Sequence, residues 1–565
     1  MSRIERFKEN YTQSSSSKKK HITATILVML IVIVLTVFFL IQKFWYVKAF
    51  VAGTSNTVPV YSLDDKSILV EAGNITRGSR INRYIKKIRN DNHIYNRIKS
   101  DGKEFYIESS CLSITSDGAV QEKEVFVRTP ATVYVEENGP DILSFVSKGT
   151  KLTVIGYDKL MDDGYVNKYR VKLPTTKESE KSIEGYVYGK YMKGTLEEAS
   201  QNYNKNGEYN KAKKDVFSYN LYGGKAVNLD YFPYEKTKIK GNEFCENART
   251  MYINTYAAVH PEEYVKLIEE TDCNAVVIDI KDGPLTYKSE VAKEYSPNSY
   301  KKAYTSEENF RKGVETYKKT GVYLIGRIVV FNDKRYAKDH PENCIKSGSN
   351  TSWPSGFSRD VWEYNVKLAV EAVEKFGFNE IQFDYVRFPE ASYEMSKSKK
   401  TDFRNEYGEE KAQAIQNFCF YSTDQLREVG AYTSIDVFGE SAYGYVTAYG
   451  QYWSSISNIV DAISAMPYTD HFANDKSWEN PYGAVLNWAM YAKKQQNSIQ
   501  NPAAARTWIT GYDTPYWDPY VQYGSSKMKD QIKALNKAGL KGGFIPWNVL
   551  SDIAKYREYQ SIWNE

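Results

Sequence analysis

From residue 249 to the end of the chain, short apolar runs alternate with segments long enough for helices. Continuously apolar runs are typical of parallel strands, because helices cover both faces of such a sheet. Eight strands, each followed by a helix, are what a closed (β/α)₈ barrel requires. An open doubly wound sheet is the rival, but no Gly-rich turn follows the first strand. We therefore predict an α/β fold with a TIM barrel over residues 248–565. Its strands are TMYINTYA (250–257), AVVIDIKDG (275–283), GVYLIGRIVVFND (321–333), EIQFDYVRFPE (380–390), YTSIDVFGE (432–440), DAISAMPYT (461–469), ARTWITGYD (505–513) and GGFIPWNV (542–549).

A second constraint is the uncharged apolar run over residues 22–41. Its length matches the ~20 residues that an α-helix needs to cross a membrane. Lysines at 18–20 precede it and aromatic residues at 44–46 follow it, which places the N-terminus in the cytoplasm by the positive-inside rule. A cleaved signal peptide is the alternative. The apolar region of a signal peptide is shorter, about 7–15 residues, and is followed by a cleavage site of small residues. We predict a cytoplasmic tail (1–21), an uncleaved signal anchor in the cell membrane (22–41) and an extracellular remainder.

Between the anchor and the barrel, three regions differ in pattern. Residues 42–120 are predicted to be a stalk or linker, with one or two amphipathic helices over 79–99. Residues 121–195 contain five short β-like runs separated by turns, which predicts a small all-β barrel. Residues 196–247 are polar and rich in Asn, Lys and Tyr, which predicts a linker and an entry segment.

The predicted small barrel has motifs of its own. These motifs are FVR (126–128), KGTKL (148–152) and GYV (185–187). These motifs resemble bacterial Src-homology-3-like wall-associated domains. The resemblance implies an SH3-like fold, with either a binding role or the role of a spacer.

Composition narrows the functional classes. Lys and Arg exceed Asp and Glu by 75 − 70 = 5, too small an excess in 565 residues to indicate a nucleic-acid binder. The five cysteines are scattered without a C-x-x-C motif and the five histidines are not clustered, so we expect no metal site and no cofactor. The 48 tyrosines are abundant, and flat aromatic faces suit sugar rings or protein partners as well as ordinary cores.

Polar residues stand at nearly every predicted strand end of the barrel. The C-terminal strand ends of a TIM barrel converge on one site, and polar groups buried there cost free energy unless they bind or react. We therefore predict substrate-binding roles for residues from several strands, with Trp353 as a further candidate for stacking on a sugar. The predicted set is Asp279, Lys281, Asp282, Arg327, Arg387, Tyr468, Tyr512, Trp547 and Asn548.

Strand alternation predicts the catalytic pair. Asp384 shares a face with Gln382, and Asp436 shares a face with Ser434, while their apolar neighbours should meet the helices. Two carboxylates from adjacent strands are the equipment of glycoside hydrolysis, as an acid and a nucleophile or base. A strand-end aspartate is also a common loop cap or ion-pair partner, and arginines at 327 and 387 are available to neutralise both.

The segments VVIDIKDG, GRIVVFND, IQFDYVRFPE, IDVFG, SAMPYTDHF and ITGYD resemble a glycoside hydrolase barrel family of bacterial cell-surface proteins, classed as a domain of unknown function. The resemblance spans about residues 248–555 and implies a TIM barrel that acts on a surface polysaccharide. By analogy with α-amylase-like layouts, it implies Asp384 as nucleophile and Asp436 or Glu440 as acid. We favour Asp436, which lies in the matching DVFG block. The histidines that flank the acids in amylase-like sites are missing, so Arg327, Arg387 or Tyr468 would stabilise the charges.

The resulting prediction is a membrane-anchored extracellular glycoside hydrolase. It cleaves a cell-wall or surface polysaccharide with retention of the anomeric configuration. Residues 390–410 are a candidate lid over its cleft. The alternative is a non-catalytic glycan-binding surface protein that uses the barrel as a binding module. A metal-dependent deacetylase is disfavoured, because His260, His340 and His471 are not suitably spaced for that motif. The predicted partners are an extracellular glycan and the membrane, with no nucleic acid.

Overall fold

A computed structural model of the chain describes residues 22–38, 40, 45–174, 182–201, 203, 222–398, 400–472 and 476–564. The chain divides into two compact units, residues 1–129 with 147–200, and residues 130–146 with 201–565. The predicted cytoplasmic tail, residues 39 and 41 of the predicted anchor, and part of the predicted linker at 204–221 lie outside the described residues. Residues 22–38 are helical. In the described ranges, no helix combines the length and the apolar character that crossing a membrane requires.

Residues 46–113 form a seven-stranded antiparallel sheet, and the prediction of amphipathic helices over 79–99 is wrong. The apolar residues of this stretch are mainly Ile and Tyr, which suit a half-buried strand at least as well as a helix. A two-residue turn at 91–92 joins two of the strands, and Asp91 adopts a φ of 50° there. The strands, in chain order, are Tyr46–Val51, Thr57–Leu63, Leu69–Thr76, Arg80–Asn90, His93–Ser100, Lys103–Glu108 and Leu112–Ser113.

The β-like runs predicted over 121–195 are strands. In the first unit they are Glu124–Val127, Lys151–Tyr157, Lys168–Lys172, Glu184–Tyr188 and Met192–Lys193, and their pairings are antiparallel. The hairpin of Ala131–Tyr134 and Ile142–Val146 belongs to the second unit. The all-β character of the region is therefore confirmed, and the likeness to Src-homology-3 domains stays a prediction.

The second unit contains a closed barrel of eight parallel strands, which confirms the predicted TIM-barrel fold. Gly543 is needed where the barrel closes on its first strand. Its φ is 101°, and a Cβ there would lie 2.2 Å from the carbonyl oxygen of Ala248. The strands are β1 Ala248–Ile253, β2 Ala275–Lys281, β3 Tyr323–Val329, β4 Glu380–Asp384, β5 Tyr432–Phe438, β6 Ala462–Met466, β7 Ala504–Thr510 and β8 Gly543–Trp547.

Helices follow the strands and cover the outside of the barrel. The main ones are α1 Glu262–Glu269, α2 Glu307–Lys319, α3 Arg359–Phe376, α4 Lys411–Glu428, α5 Trp453–Ser457, α6 Pro481–Gln496, α7 Ser525–Ala538 and α8 Ile553–Tyr559. Short helices at Glu290–Tyr295 and Pro297–Lys301 lie between β2 and α2. The predicted lid, 390–410, contains a short helix, Ser392–Lys397, and a two-residue strand, Thr401–Asp402. Because the strands are parallel and every helix returns the chain, all C-terminal strand ends meet at one end of the barrel.

Candidate active site

The alternation predicted for β4 and β5 is confirmed. The side-chain amide of Gln382 donates a hydrogen bond to Asp436 Oδ1, so these residues of adjacent strands face each other inside the barrel. Between them in sequence, Phe383 points outward and packs against Phe418 of α4, with ring centroids 5.4 Å apart. Asp384 has the same parity as Gln382 and reaches the barrel interior one step nearer the C-terminal end.

Arg327 on β3 is the centre of the polar cluster at this end. Its Nη1 donates to Asp279 Oδ1 at 2.7 Å and its Nη2 donates to Asp384 Oδ2 at 2.6 Å. The same guanidinium lies 3.8 Å from Asp436 Oδ2, measured from Nε, and 3.6 Å from Asp282 Oδ2. One cation therefore faces four carboxyl groups, and its planar fork of donors suits such a multiple contact.

Asp436 is the most enclosed of these acids, with an exposed fraction of 0%. Its Oδ1 accepts hydrogen bonds from Gln382 and from Trp508 Nε1, the latter at 2.8 Å. Its Oδ2 has no hydrogen-bond partner among the described residues. Burial, together with the charge of Asp384, raises the pKa of Asp436 well above its usual value against the opposing effect of Arg327. Asp436 therefore keeps its proton at a pH where an exposed aspartate has lost it.

Asp279 lies on the other side of the arginine and is also buried. Burial raises its pKa to about 6, although Arg327 acts in the opposite direction. The hydroxyl of Tyr252 on β1 donates to its second oxygen at 2.5 Å. Asp279 is thus fully occupied by protein donors and acts on the site through Arg327.

A cavity of about 770 Å³ opens at the C-terminal end of the barrel. Asp384 and Glu440 both line it, and aromatic side chains make up much of the wall. Glu440 follows β5, and its two carboxylate oxygens accept hydrogen bonds from Tyr445 at 2.8 Å and Tyr449 at 2.7 Å. These two tyrosines fix the orientation of the Glu440 carboxyl group. The residues of the wall are Arg327, Tyr385, Arg387, Glu390, Tyr393, Phe438, Gly439, Tyr443, Ala448, Tyr449, Met466, Pro467, Tyr468, His471, Phe472, Trp508 and Trp547.

The backbone is strained directly beside Asp384. Tyr385 has a φ of 54°, a left-handed conformation that non-glycine residues seldom adopt and that costs on the order of 1–3 kcal/mol. In this conformation its N–H donates to Asp384 Oδ1 at 2.6 Å. With Arg327 on Oδ2, both oxygens of Asp384 are held by donors of the protein. Arg387 lies against the ring of Tyr385, with Cζ 4.9 Å from the centroid, and forms an ion pair with Glu390 at 3.0 Å.

The structure places the predicted site residues in three groups. Asp384, Glu440, Arg327, Arg387, Tyr468 and Trp547 line the cavity. Asp279, Asp282 and Asp436 surround Arg327, within 4 Å of its guanidinium. Tyr512, Asn548 and Trp353 belong to loops and do not line the cavity. Tyr512 packs against Tyr468 and donates to Asp470, and Asn548 exchanges hydrogen bonds with the backbone of Asp552. Trp353 lies 6.3 Å from Tyr385, ring to ring.

Lys281 is not among the residues that line the cavity, so its surroundings do not support the predicted role in substrate binding. The pairing of β2 with β3 shifts register between Asp279 and Lys281, so that Lys281 stands opposite Ile328. This irregularity turns the lysine toward α3, where its ammonium donates to Asp333 at 2.8 Å and to Asn365 at 2.7 Å. Lys281 is 1% exposed and forms a buried structural ion pair.

Sequence reasoning missed several residues of the site. Trp508 has the same strand parity as Arg506 and donates to Asp436, so the alternation along β7 contained the signal for it. Tyr443, Tyr445 and Tyr449 come from GESAYGYVTAYG (439–450), a loop whose tyrosine content was visible in the sequence. His471 and Phe472 follow β6 and end the segment SAMPYTDHF (464–472), so the family resemblance contained a signal for them.

Residues 250–552 match the family described as "Putative glycosyl hydrolase domain". The chain belongs to this family. The match covers all eight barrel strands except the start of β1, and it confirms the predicted resemblance and a domain of the glycosyl hydrolase type. No curated protein sequence matches the chain.

Solved structures similar to this chain include the following three. A hypothetical protein from Ruminiclostridium thermocellum ATCC 27405 is 31% identical over 33% of this chain and 97% of that chain, with a TM-score of 0.28. The PgaB (BpsB) glycoside hydrolase domain from Bordetella bronchiseptica is 12% identical over 56% of this chain and 98% of that chain, with a TM-score of 0.41. The spore cortex-lytic enzyme SleL of Bacillus megaterium QM B1551 is 11% identical over 59% of this chain and 75% of that chain, with a TM-score of 0.35.

Proposed function

We propose that this protein hydrolyses glycosidic bonds of a cell-wall or surface polysaccharide. The observation that carries the proposal is the presence of Asp384 and Glu440 on one aromatic-walled cavity at the C-terminal end of the barrel. Two carboxyl groups on one cleft are the minimal equipment for glycoside hydrolysis, and aromatic faces stack on the apolar faces of sugar rings. Membership in the glycosyl hydrolase family supports the same reaction.

In this proposal Asp384 is the nucleophile. Its carboxylate attacks the anomeric carbon, and the bond to the leaving oxygen breaks, which gives a covalent glycosyl-enzyme that water then hydrolyses with overall retention. Arg327 at 2.6 Å supplies the counter-charge for this carboxylate, and the N–H of Tyr385 at 2.6 Å sets its orientation. The strained backbone at Tyr385 supports a functional role, because strain of this kind collects at active sites.

Glu440 is the proton donor in this proposal, and Asp436 assists from inside the barrel. The sequence left the choice between them open and favoured Asp436. Exposure favours Glu440, because a proton donor must contact the departing oxygen and Asp436 has no exposed surface. Glu440 lies on the cavity and protonates the leaving oxygen, then takes a proton from the attacking water in the second step. Asp436 keeps its proton and so limits the negative charge around Arg327.

The apolar segment 22–41 anchors the protein in the cell membrane in this proposal, with the rest of the chain outside. Two observations support the anchor. The 20 residues of this segment carry no charge, and its apolar side chains are exposed, with exposed fractions of 50% for Ile31 and 64% for Val34. Exposed apolar surface of this extent is unfavourable in water and stable in lipid. Protease added to intact cells should digest the barrel and spare an N-terminal tag. A barrel that is protected in intact cells and digested only after lysis would refute the orientation.

The central experiment is to incubate the detergent-solubilised full chain with wall and capsular glycans purified from its own organism, and to measure new reducing ends. Wild-type protein should release them. Asp384→Asn should not, while it still binds the same glycan in a pull-down assay. Tyr304→Ala, an exposed position outside the cavity wall, serves as the matched control and should retain activity. Binding without cleavage by the wild type on every glycan would instead support the non-catalytic binding protein.

A further inference from the structure

Three large aromatic side chains are exposed on the loop that joins β7 to α7. Tyr516 is 95% exposed, Tyr520 is 56% exposed and Trp517 is 43% exposed. Each of these rings would normally bury much of its area, because burial of aromatic surface is a large favourable term. We call these three residues the aromatic loop. Together they form an exposed aromatic surface within five successive positions.

The aromatic loop continues directly from the wall of the cavity. The chain leaves β7 after Thr510 and passes Tyr512, whose ring lies 6.0 Å from that of Tyr468, and Tyr468 lines the cavity. On the neighbouring strand, Trp547 also lines the cavity, and its ring lies 5.3 Å from that of Trp508 on β7. Because β7 and β8 are paired at their C-terminal ends, the loop rises at the rim of the same opening.

The loop is held in one conformation by contacts at both ends. Trp517 packs against Trp478 with ring centroids 4.7 Å apart, and Trp478 Nε1 donates to the carbonyl of Pro519 at 2.9 Å. Asp513 accepts hydrogen bonds from the Tyr520 hydroxyl at 3.1 Å and the Tyr523 N–H at 2.8 Å, and it pairs with Lys555 at 2.6 Å. The exposed rings are therefore presented by a fixed frame, which reduces the entropy lost on binding.

We propose that the aromatic loop binds the polysaccharide chain outside the cavity, so that the enzyme prefers polymers to short oligosaccharides and cleaves within the chain. A cavity of about 770 Å³ encloses only a short part of a polymer, and the rest must lie over the rim. A sugar ring offers an apolar face for stacking and hydroxyl groups around its edge. The loop matches both, because the carboxyl group of Asp518 stands between Trp517 and Tyr520 in the sequence. The inference rests on the proposed hydrolysis.

The test compares two substrate lengths with the detergent-solubilised full chain. The probes are a purified wall polysaccharide and the short oligosaccharides released from it. Tyr516→Ala/Tyr520→Ala should raise KM for the polymer about tenfold, because two stacking contacts are lost, and should change kcat/KM for the short oligosaccharides much less. Tyr304→Ala, 50% exposed on the connection between β2 and α2, is the control and should behave like wild type with both substrates. Equal losses on both lengths, or no loss on the polymer, would overturn the inference.

A binding measurement separates this inference from the proposed hydrolysis. Affinity electrophoresis in gels that contain the wall polysaccharide needs no turnover, and the Asp384→Asn protein removes any cleavage during the run. Tyr516→Ala/Tyr520→Ala on the Asp384→Asn background should lose most of the retardation that Asp384→Asn alone shows. This result would stand even if wild-type protein cleaved no glycan. Undiminished retardation would refute the aromatic loop as a glycan surface whatever the activity is.

Discussion

Two buried arginines inside the same barrel have opposite surroundings. Arg506 on β7 donates to Glu380 at 2.6 Å, and both side chains are 0% exposed. The pair is completed by the Tyr323 hydroxyl, which donates to Glu380 at 3.1 Å, and by the carbonyl of Cys245, which accepts from Arg506 at 3.0 Å. In this arrangement one cation pairs with one carboxylate, and neither side chain is exposed to solvent.

Arg327 has one positive charge and four carboxyl groups within 4 Å. Burial favours the protonated forms of two of these acids, since it raises the pKa of Asp279 to about 6 and that of Asp436 well above its usual value. Burial of an ion pair alone therefore does not indicate function. A balanced pair such as Arg506–Glu380 fits a structural role, while an unbalanced cluster that reaches a cavity is a candidate for chemistry.

The largest effect is expected at the unbalanced cluster. Asp384→Asn removes the proposed nucleophile and should reduce the rate of glycan cleavage by about 10³-fold or more. Reducing-end assays at saturating glycan measure this loss, and circular dichroism checks that the fold is retained. A variant that keeps more than a tenth of wild-type activity would place the nucleophile elsewhere.

The balanced pair should respond in stability. Arg506→Met leaves Glu380 buried without its counter-charge and should lower the free energy of unfolding of the barrel by about 3–5 kcal/mol. Urea titration followed by tryptophan fluorescence measures the change. The double variant Arg506→Met/Glu380→Leu should recover most of the loss, because it removes the unpaired charge. If Arg506→Met were as stable as wild type, the Arg506–Glu380 pair would not have the structural role that sets it apart from the Arg327 cluster.

Glu440→Gln tests the proton donor. It should reduce cleavage of the natural glycan by about 10²–10³-fold, because the leaving oxygen no longer receives a proton. With a dinitrophenyl glycoside of the same sugar the loss should be much smaller, since that leaving group departs without protonation. The ratio of the two losses is the measurement. An equal loss on both substrates would assign Glu440 to binding.

The smallest effect is a pH dependence of stability. Asp436 has a folded-state pKa raised above its unfolded value, so the folded protein keeps a proton that the unfolded chain releases. Stability from this group is therefore complete below about pH 4 and declines as pH rises, until the raised pKa is passed. Asp436→Asn should remove this decline, as seen in urea titrations from pH 4 to 7.

Asp279→Asn is the companion variant for that prediction. The pKa of Asp279 is raised to about 6, so its substitution should flatten the stability curve only between about pH 4 and pH 6. Parallel curves for Asp436→Asn and wild type over the whole range would contradict a proton held on Asp436.

Much of the barrel was predictable, because buried parallel strands leave a strong local signal. The eight predicted strands all occur, and the alternation of Gln382, Phe383 and Asp384 assigned these residues to the correct faces. The alternation of side chains did not predict the position of Lys281. A register shift against β3 turns this side chain to the other face of the strand, and such a shift depends on the partner strand. The sheet at 46–113 was missed because Ile and Tyr at mixed spacings fit both a helix and a strand.

The sequence by itself determined the fold class, the order of the strands and the acids that face the barrel interior, because these follow from patterns along neighbouring residues. Only the tertiary structure decided which acid meets the cavity. Asp436 and Glu440 share strand parity, yet Asp436 is enclosed by Gln382, Trp508 and Arg327 from three other strands, while Glu440 stands on the wall beside Tyr449. Exposure and proton affinity depend on which side chains converge from distant parts of the chain, and no local pattern encodes that convergence.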